Sequence, residues 1–228
     1  INGSQTGVNT PDKLTVTGTL DCGAYGLNIN TGLPDTGNPF TLAAGGTMKI
    51  GSADGITSSG ATGSIQVTGT RTLATAGNYV YNGTTAQVTG SGLPATVNNL
   101  TIANAAGAVA LSQNETVSGI LTVHPNATLD LNGRTISTAN AVLFGTLMMT
   151  VAKSGGNFSG SKLTQTGGPL TYGGALTVTV AGESLALGDA IDLFDAPGFD
   201  SGSGFNSIVC SSLQPGQTVS PVNLTING

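Results

Sequence analysis

The chain has 228 residues, 7% of them charged, with a net charge of −5 and no tryptophan. Charge so sparse beside 38% hydrophobic residues excludes a disordered chain, which combines low hydrophobicity with high charge. The six Lys and Arg stand singly, which argues against nucleic acid as a partner. No apolar run reaches the roughly 18 residues of a membrane-spanning helix, so membrane insertion is not expected.

Thirty-six glycines and nine prolines recur along the chain and interrupt any long helix. Polarity comes from Thr, Ser and Asn, and Thr suits a pleated strand. Scarce Lys and Glu with abundant Thr, Asn and Gly predict an exported, extracellular or cell-surface protein. The start at Ile1, without an initiator Met, reads as a mature or trimmed product.

Short aliphatic runs alternating with Thr or Asn, each bounded by turn residues, predict strands. In chain order they include Leu14–Val16, Ile65–Val67, Val97–Ile102, Val109–Leu111, Ile120–Val123, Thr128–Leu131, Leu147–Val151 and Leu176–Val180. Their spacing is regular. Val109 precedes Leu129 by 20 residues, Leu100 precedes Leu121 by 21, and Thr128 precedes Thr146 by 18. A period near 20 with several short strands per period predicts an all-β fold of the parallel β-helix (β-solenoid) type, whose stacked turns share one core. Leu14–Asp21 also echoes Leu121–Asp130, which suggests one design used twice. Beyond Gly155-Gly156 the texture changes, and three of the six Phe fall within residues 194–205. The expected division is a repeat region, residues 1–155, and a C-terminal capping and assembly unit, residues 156–228, that closes an otherwise open end.

Two stretches carry a family resemblance. Residues 79–137, from Tyr79-Val-Tyr-Asn-Gly through Val97-Asn-Asn-Leu-Thr-Ile102 to Thr128-Leu-Asp-Leu-Asn-Gly-Arg-Thr-Ile136, resemble β-strand repeats of large secreted bacterial surface proteins. Residues 160–228 resemble the β unit that follows autotransporter-associated β-strand repeats. The matching motifs are Leu170-Thr-Tyr-Gly-Gly-Ala-Leu-Thr-Val178, Leu187-Gly-Asp-Ala-Ile-Asp-Leu-Phe-Asp-Ala196 and Phe205-Asn-Ser-Ile208. The resemblance implies a parallel β-helix ending in a β-sandwich-like unit, in exported adhesin-like or matrix proteins. It brings no catalytic residues.

Candidate chemistry is thin. His124 is the one histidine, in Val-His-Pro-Asn, and reads as a corner residue rather than part of a triad or zinc site. Asp130, Asp21 and Arg134 are the residues a polysaccharide-cleaving site would use, and a surface ion pair between Asp130 and Arg134 is the simpler account. Asp189, Asp192, Asp195 and Asp200 form the one acidic run. Asp189, Asp192 and Asp195 are weak calcium candidates, with solvated turn carboxylates as the plainer reading. Tyr79 and Tyr81, two apart, share a strand face and offer a small sugar-stacking patch, with packing against the adjacent Gly-rich loops as the plainer reading. Thr15, Thr17 and Thr19 alternate on one face, as do Thr177 and Thr179. Cys22 and Cys210 leave three arrangements open: buried thiols, an intramolecular disulfide, or a bridge between neighbouring copies.

These readings predict no enzyme and no cofactor. The expected function is a structural subunit or segment of an extracellular bacterial surface assembly (fibre, stalk or matrix) whose main partner is copies of itself. Association would run through terminal strands, with Leu14 and Val16 at one end and Val222, Leu224 and Ile226 at the other, by β-augmentation. The alternative is an adhesin-type module that binds surface glycans.

Overall fold

The structure, a computed structural model, describes residues 13–24, 26–27, 37–200, 204–211 and 213. The described residues are all-β and contain no helix. Leu14–Val16 (β1) and Thr19–Asp21 (β2) come first. Phe40–Leu42 (β3), Thr47–Ile50 (β4), Arg71–Leu73 (β5), Asn78–Tyr81 (β6) and Gln87–Val88 (β7) follow. Next are Thr96–Val97 (β8), Asn99–Ile102 (β9) and Ala108–Ala110 (β10). The longer strands are Glu115–Val123 (β11), Thr135–Leu143 (β13) and Thr146–Ser154 (β14), with Thr128–Asp130 (β12) between the first two. The last six are Asn157–Gly160 (β15), Lys162–Gln165 (β16), Thr171–Tyr172 (β17), Ala175–Gly182 (β18), Phe194–Asp195 (β19) and Ser207–Cys210 (β20).

The strands form three sheets. One runs β1-β3-β5. A seven-stranded sheet runs β7-β10-β12-β14-β18-β20, with β15 beside β14. A ten-stranded sheet runs β2-β4-β6-β9-β11-β13-β16-β19, with β8 on β11 and β17 on β13. Among these neighbours β14 and β15 are antiparallel, and the other described strand pairs are parallel. The spacings read from the sequence are registers of the sheets. Val109 pairs with Leu129, Leu100 with Leu121, and Thr128 with Thr146. The echo between Leu14–Asp21 and Leu121–Asp130 is not a structural equivalence. β1 and β2 lie in the three- and ten-stranded sheets, whereas β11 and β12 lie in the ten- and seven-stranded ones.

Register turns the sequence pattern into a core. Leu20, Met48, Tyr79, Leu100, Leu121 and Ala141 are successive partners across the ten-stranded sheet. Val109, Leu129, Leu147, Leu176 and Ile208 do the same across the seven-stranded one. Side chains at equivalent positions thus pile on one another, and all belong to a single apolar cluster. Burial of this kind stabilises by about 25 cal/mol per Å² of apolar surface, which outweighs the few ion pairs.

Corners between strands bring adjacent backbones together. A Cβ on Gly174 would collide with the carbonyl oxygen of Gly145, and one on Gly145 with that of Ala127. Only glycine fits this approach. At residues 131–134, Asn132 and Gly133 both take positive φ (50° and 72°), the conformation an Asn-Gly turn supplies.

Pairing continues past Gly155-Gly156. These two glycines form the β14–β15 turn, while β14 runs on to pair with β18 over eight residues and β13 with β16 over four. Toward the C-terminal side the core loosens. Leu163, Leu170 and Leu176 are buried, but Phe194, Phe199, Phe205 and Ile208 are only partly buried. Tyr172 meets Phe199 edge-on at 5.9 Å and Phe205 at 4.8 Å, and Phe194 lies 5.8 Å from Phe205.

Candidate functional site

Three carboxylates of the acidic run, Asp189, Asp192 and Asp195, divide between two lysines. Asp189 accepts from Lys153 Nζ at 2.7 Å and from the Ala186 amide at 2.7 Å. The Ala186 amide and then Lys153 hold its carboxyl below the ordinary range. Asp192 and Asp195 both accept from Lys162 Nζ, at 2.6 and 2.8 Å. The weak calcium alternative finds no support in this geometry, because ammonium groups pair with these carboxylates. Among the described residues no three His, Cys, Asp or Glu converge as a metal site would require.

The sugar-cleaving candidates do not converge either. Asp21 lies on β2 of the ten-stranded sheet, where Gly23 N donates to it at 3.0 Å and Lys49 pairs with it at 3.2 Å. Asp130 ends β12 of the seven-stranded sheet and accepts from Asn132 N at 2.7 Å. It closes a turn. The expected ion pair with Arg134 is not among those of the described residues. His124 is exposed at a corner, its carbonyl accepting from Ala127 N.

Tyr79 and Tyr81 do share a strand face, but it is the inner one. Both are fully buried, and their hydroxyls donate to the carbonyls of Ala74 (3.0 Å) and Thr89 (2.7 Å). The rings are packed inside, as the plainer reading has it, and offer no access for sugar stacking. Thr15 and Thr19 do not form a common face, since the chain turns at Thr17-Gly18 from β1 into another sheet. Thr177 and Thr179 do lie on one side of β18.

Cys22 follows β2 at one edge of the ten-stranded sheet, and Cys210 ends β20 at an edge of the seven-stranded one. Both thiols are free, so the intramolecular bridge is not formed. Burial, then the Asp21 charge, pushes the Cys22 thiol up to about 11, which makes it a poor nucleophile at neutral pH. Leu14 and Val16 point toward the core from β1, an edge strand whose described partner is β3. Val222, Leu224 and Ile226 lie outside the described residues.

Three arrangements were not foreseen from the sequence. The first is a concavity of about 420 Å³ on the ten-stranded sheet, lined by Ala95, Thr96, Asn114, Glu115, Thr116, Thr135, Ile136, Ser137 and Thr164. Thr96, Thr116, Ser137 and Thr164 are consecutive register partners, so their hydroxyls form a row at the interstrand spacing of about 4.8 Å.

The second is a chain of buried amides. Gln87 Nε2 donates to the carbonyls of Ile50 and Ser52, both at 2.9 Å, while Gln87 Oε1 accepts from Gly83 N and Asn104 Nδ2. Among partly buried amides, Asn98 and Asn99 each donate to Asn78 Oδ1 at 2.9 Å, and Asn99 Oδ1 accepts from Ile120 N at 2.8 Å. Uncharged side chains thus carry hydrogen bonds from strand to strand where the ladder turns.

The third is Glu115, 3% exposed at the start of β11, with its Oε2 unpartnered. Compared with protein-family models, curated proteins and solved structures, the chain matches none.

Proposed function

We propose that the chain winds as a β-solenoid closed by a C-terminal capping unit. In this reading it serves as a structural segment of an extracellular bacterial surface assembly, a fibre, stalk or matrix. The observation that carries this is the in-register ladder itself: parallel partners recur level after level, and their side chains pile into one apolar cluster. Such a stack behaves as a quasi-one-dimensional body stabilised by nearest-neighbour contacts, which suits a load-bearing spacer.

Copies associate with one another through terminal strands. In support, β1 and β2 begin their sheets and β19 and β20 end theirs, and a strand edge is a template for pairing. Deleting residues 221–228 should abolish assemblies seen by electron microscopy while the truncated chain keeps its β-sheet circular dichroism. Undiminished filaments after that deletion would defeat the association, and a surface-exclusion result, with antibody failing to label intact source cells, would defeat the extracellular placement.

A second reading, an adhesin-type glycan-binding module, is favoured by one observation, the hydroxyl-lined concavity around Thr116 and Ser137. Hydroxyl rows offer donors and acceptors to a neutral sugar chain. Glycan-array binding that is lost in Thr116→Lys would favour it over the purely structural role.

A further inference from the structure

We propose that Glu115 is an alkali-sensitive latch, holding the β8–β11–β13 part of the ten-stranded sheet closed while its carboxyl carries a proton and loosening it when the proton leaves. Register places Glu115 between apolar partners. Ile136 is its partner on β13 and Leu163 the partner of Ile136 on β16. On the other side, Thr116 pairs with Thr96 of β8, which sets Ala95 opposite Glu115, and Thr116 N donates to the Ala95 carbonyl at 2.9 Å. The carboxyl has one weak neighbour, Gln113 Nε2, at 3.5 Å from Oε1, and that amide is already committed to the Leu93 carbonyl at 2.8 Å.

The groups that feel the Glu115 charge across the core are Tyr79 and Tyr81 of β6, both themselves raised, chiefly by burial. The tyrosine protons point to the Ala74 and Thr89 carbonyls, so neither hydroxyl donates to a carboxylate. Ala95 just before β8, Ile136 on β13 and Leu163 on β16 do not titrate. No Lys, Arg or His of the described residues pairs with Glu115.

A buried carboxylate with no cation and one long, shared amide donor is costly, whereas the neutral acid is tolerated. Burial pushes the Glu115 carboxyl from near 4.5 up to about 8. Folding therefore takes up a proton between those values. Stability conferred with the proton in place is full below about 4.5 and declines as pH rises through about 8. Glu183, the other glutamate, behaves oppositely. Its carboxylate accepts from the amides of Gly155 and Gly156 and is held below the ordinary range.

The chain contains two glutamates, so carboxyl-13C glutamate labelling gives two NMR signals in the intact protein. One should titrate below the ordinary value and one near 8. In parallel, the folded-to-unfolded ratio from urea titrations should fall with pH by up to about tenfold per unit more in wild type than in Glu115→Gln. Protection of the Thr116 and Val117 amides should drop over the same range in wild type alone. Two glutamate signals both titrating near 4 to 5, or stability curves of the two proteins that stay parallel from pH 5 to 9, would overturn the latch. Should the variant fail to fold, the wild-type NMR titration decides alone.

Discussion

The strands from β9 to β18 and the segment from Glu183 to Cys210 use the same backbone ladder but differ in what seals it. In the first region inward side chains such as Leu100, Leu121, Leu129 and Leu147 are buried, and β11, β13 and β14 run for nine residues each. In the second, β19 has two residues and β20 four. Its inward aromatics are partly exposed, and Lys153 and Lys162 tie the connecting segment to the strands below through Asp189, Asp192 and Asp195. The contrast teaches that interior position in the ladder, more than residue type, sets how much a side chain contributes. Leu100 and Leu121 each lie between register partners on both sides and are buried, whereas Phe194, Phe199 and Phe205 are only partly buried.

Graded substitutions can break or sharpen that contrast. Leu121→Ala removes a buried side chain in the middle and should cost about 3–4 kcal/mol in chemical denaturation. A loss below about 1 kcal/mol would mean that the levels are not tightly coupled. Gln87→Ala, which removes one of two donors from each of the Ile50 and Ser52 carbonyls and strands the Gly83 amide, should cost about 1–3 kcal/mol. Phe205→Ala at the loose end should cost about 1–2 kcal/mol, since the ring is only partly buried. Equal losses for Phe205→Ala and Leu121→Ala would erase the distinction between middle and end. Lys162→Met should cost under about 1 kcal/mol, and its effect should vanish in 1 M salt.

Acid should test the same end. The Asp189 carboxyl is held low by the Ala186 amide and Lys153, so its contribution is present above its ordinary value near 3.8 and disappears as pH falls below it. Hydrogen exchange should therefore show residues 183–195 opening at low pH before β11 to β14 do.

Much of the ladder was legible in the sequence because parallel stacking repeats its own spacing. The 20-residue step from Val109 to Leu129 is a pairing distance, and periodic aliphatics report it directly. The orientation of Tyr79 and Tyr81 was not legible. Alternation places both on one face but cannot say which, and each hydroxyl found a carbonyl that only the folded chain brings near. Glu115 stands on the same alternation as Val117, Leu121 and Val123, which points inward, yet its residue type reads as solvent-facing. The pattern was right and the residue type misled. The hydroxyl row through Thr96, Thr116, Ser137 and Thr164 escaped notice because its steps are 20, 21 and 27 residues, too uneven to register as a repeat. The carboxylates of the acidic run looked like a cluster because sequence proximity hides the two lysines, 30 or more positions away.

Register also bears on how the chain is completed. Among the described residues, parallel partners lie between 18 positions apart (Thr128 and Thr146) and 38 apart (Leu27 and Ile65). No sheet waits for a distant segment to return. Each new parallel strand needs only the edge laid down a few dozen residues before it, so the sheets can advance as a front that follows the polypeptide out of a narrow exit, committing finished material while the remainder is still threading through.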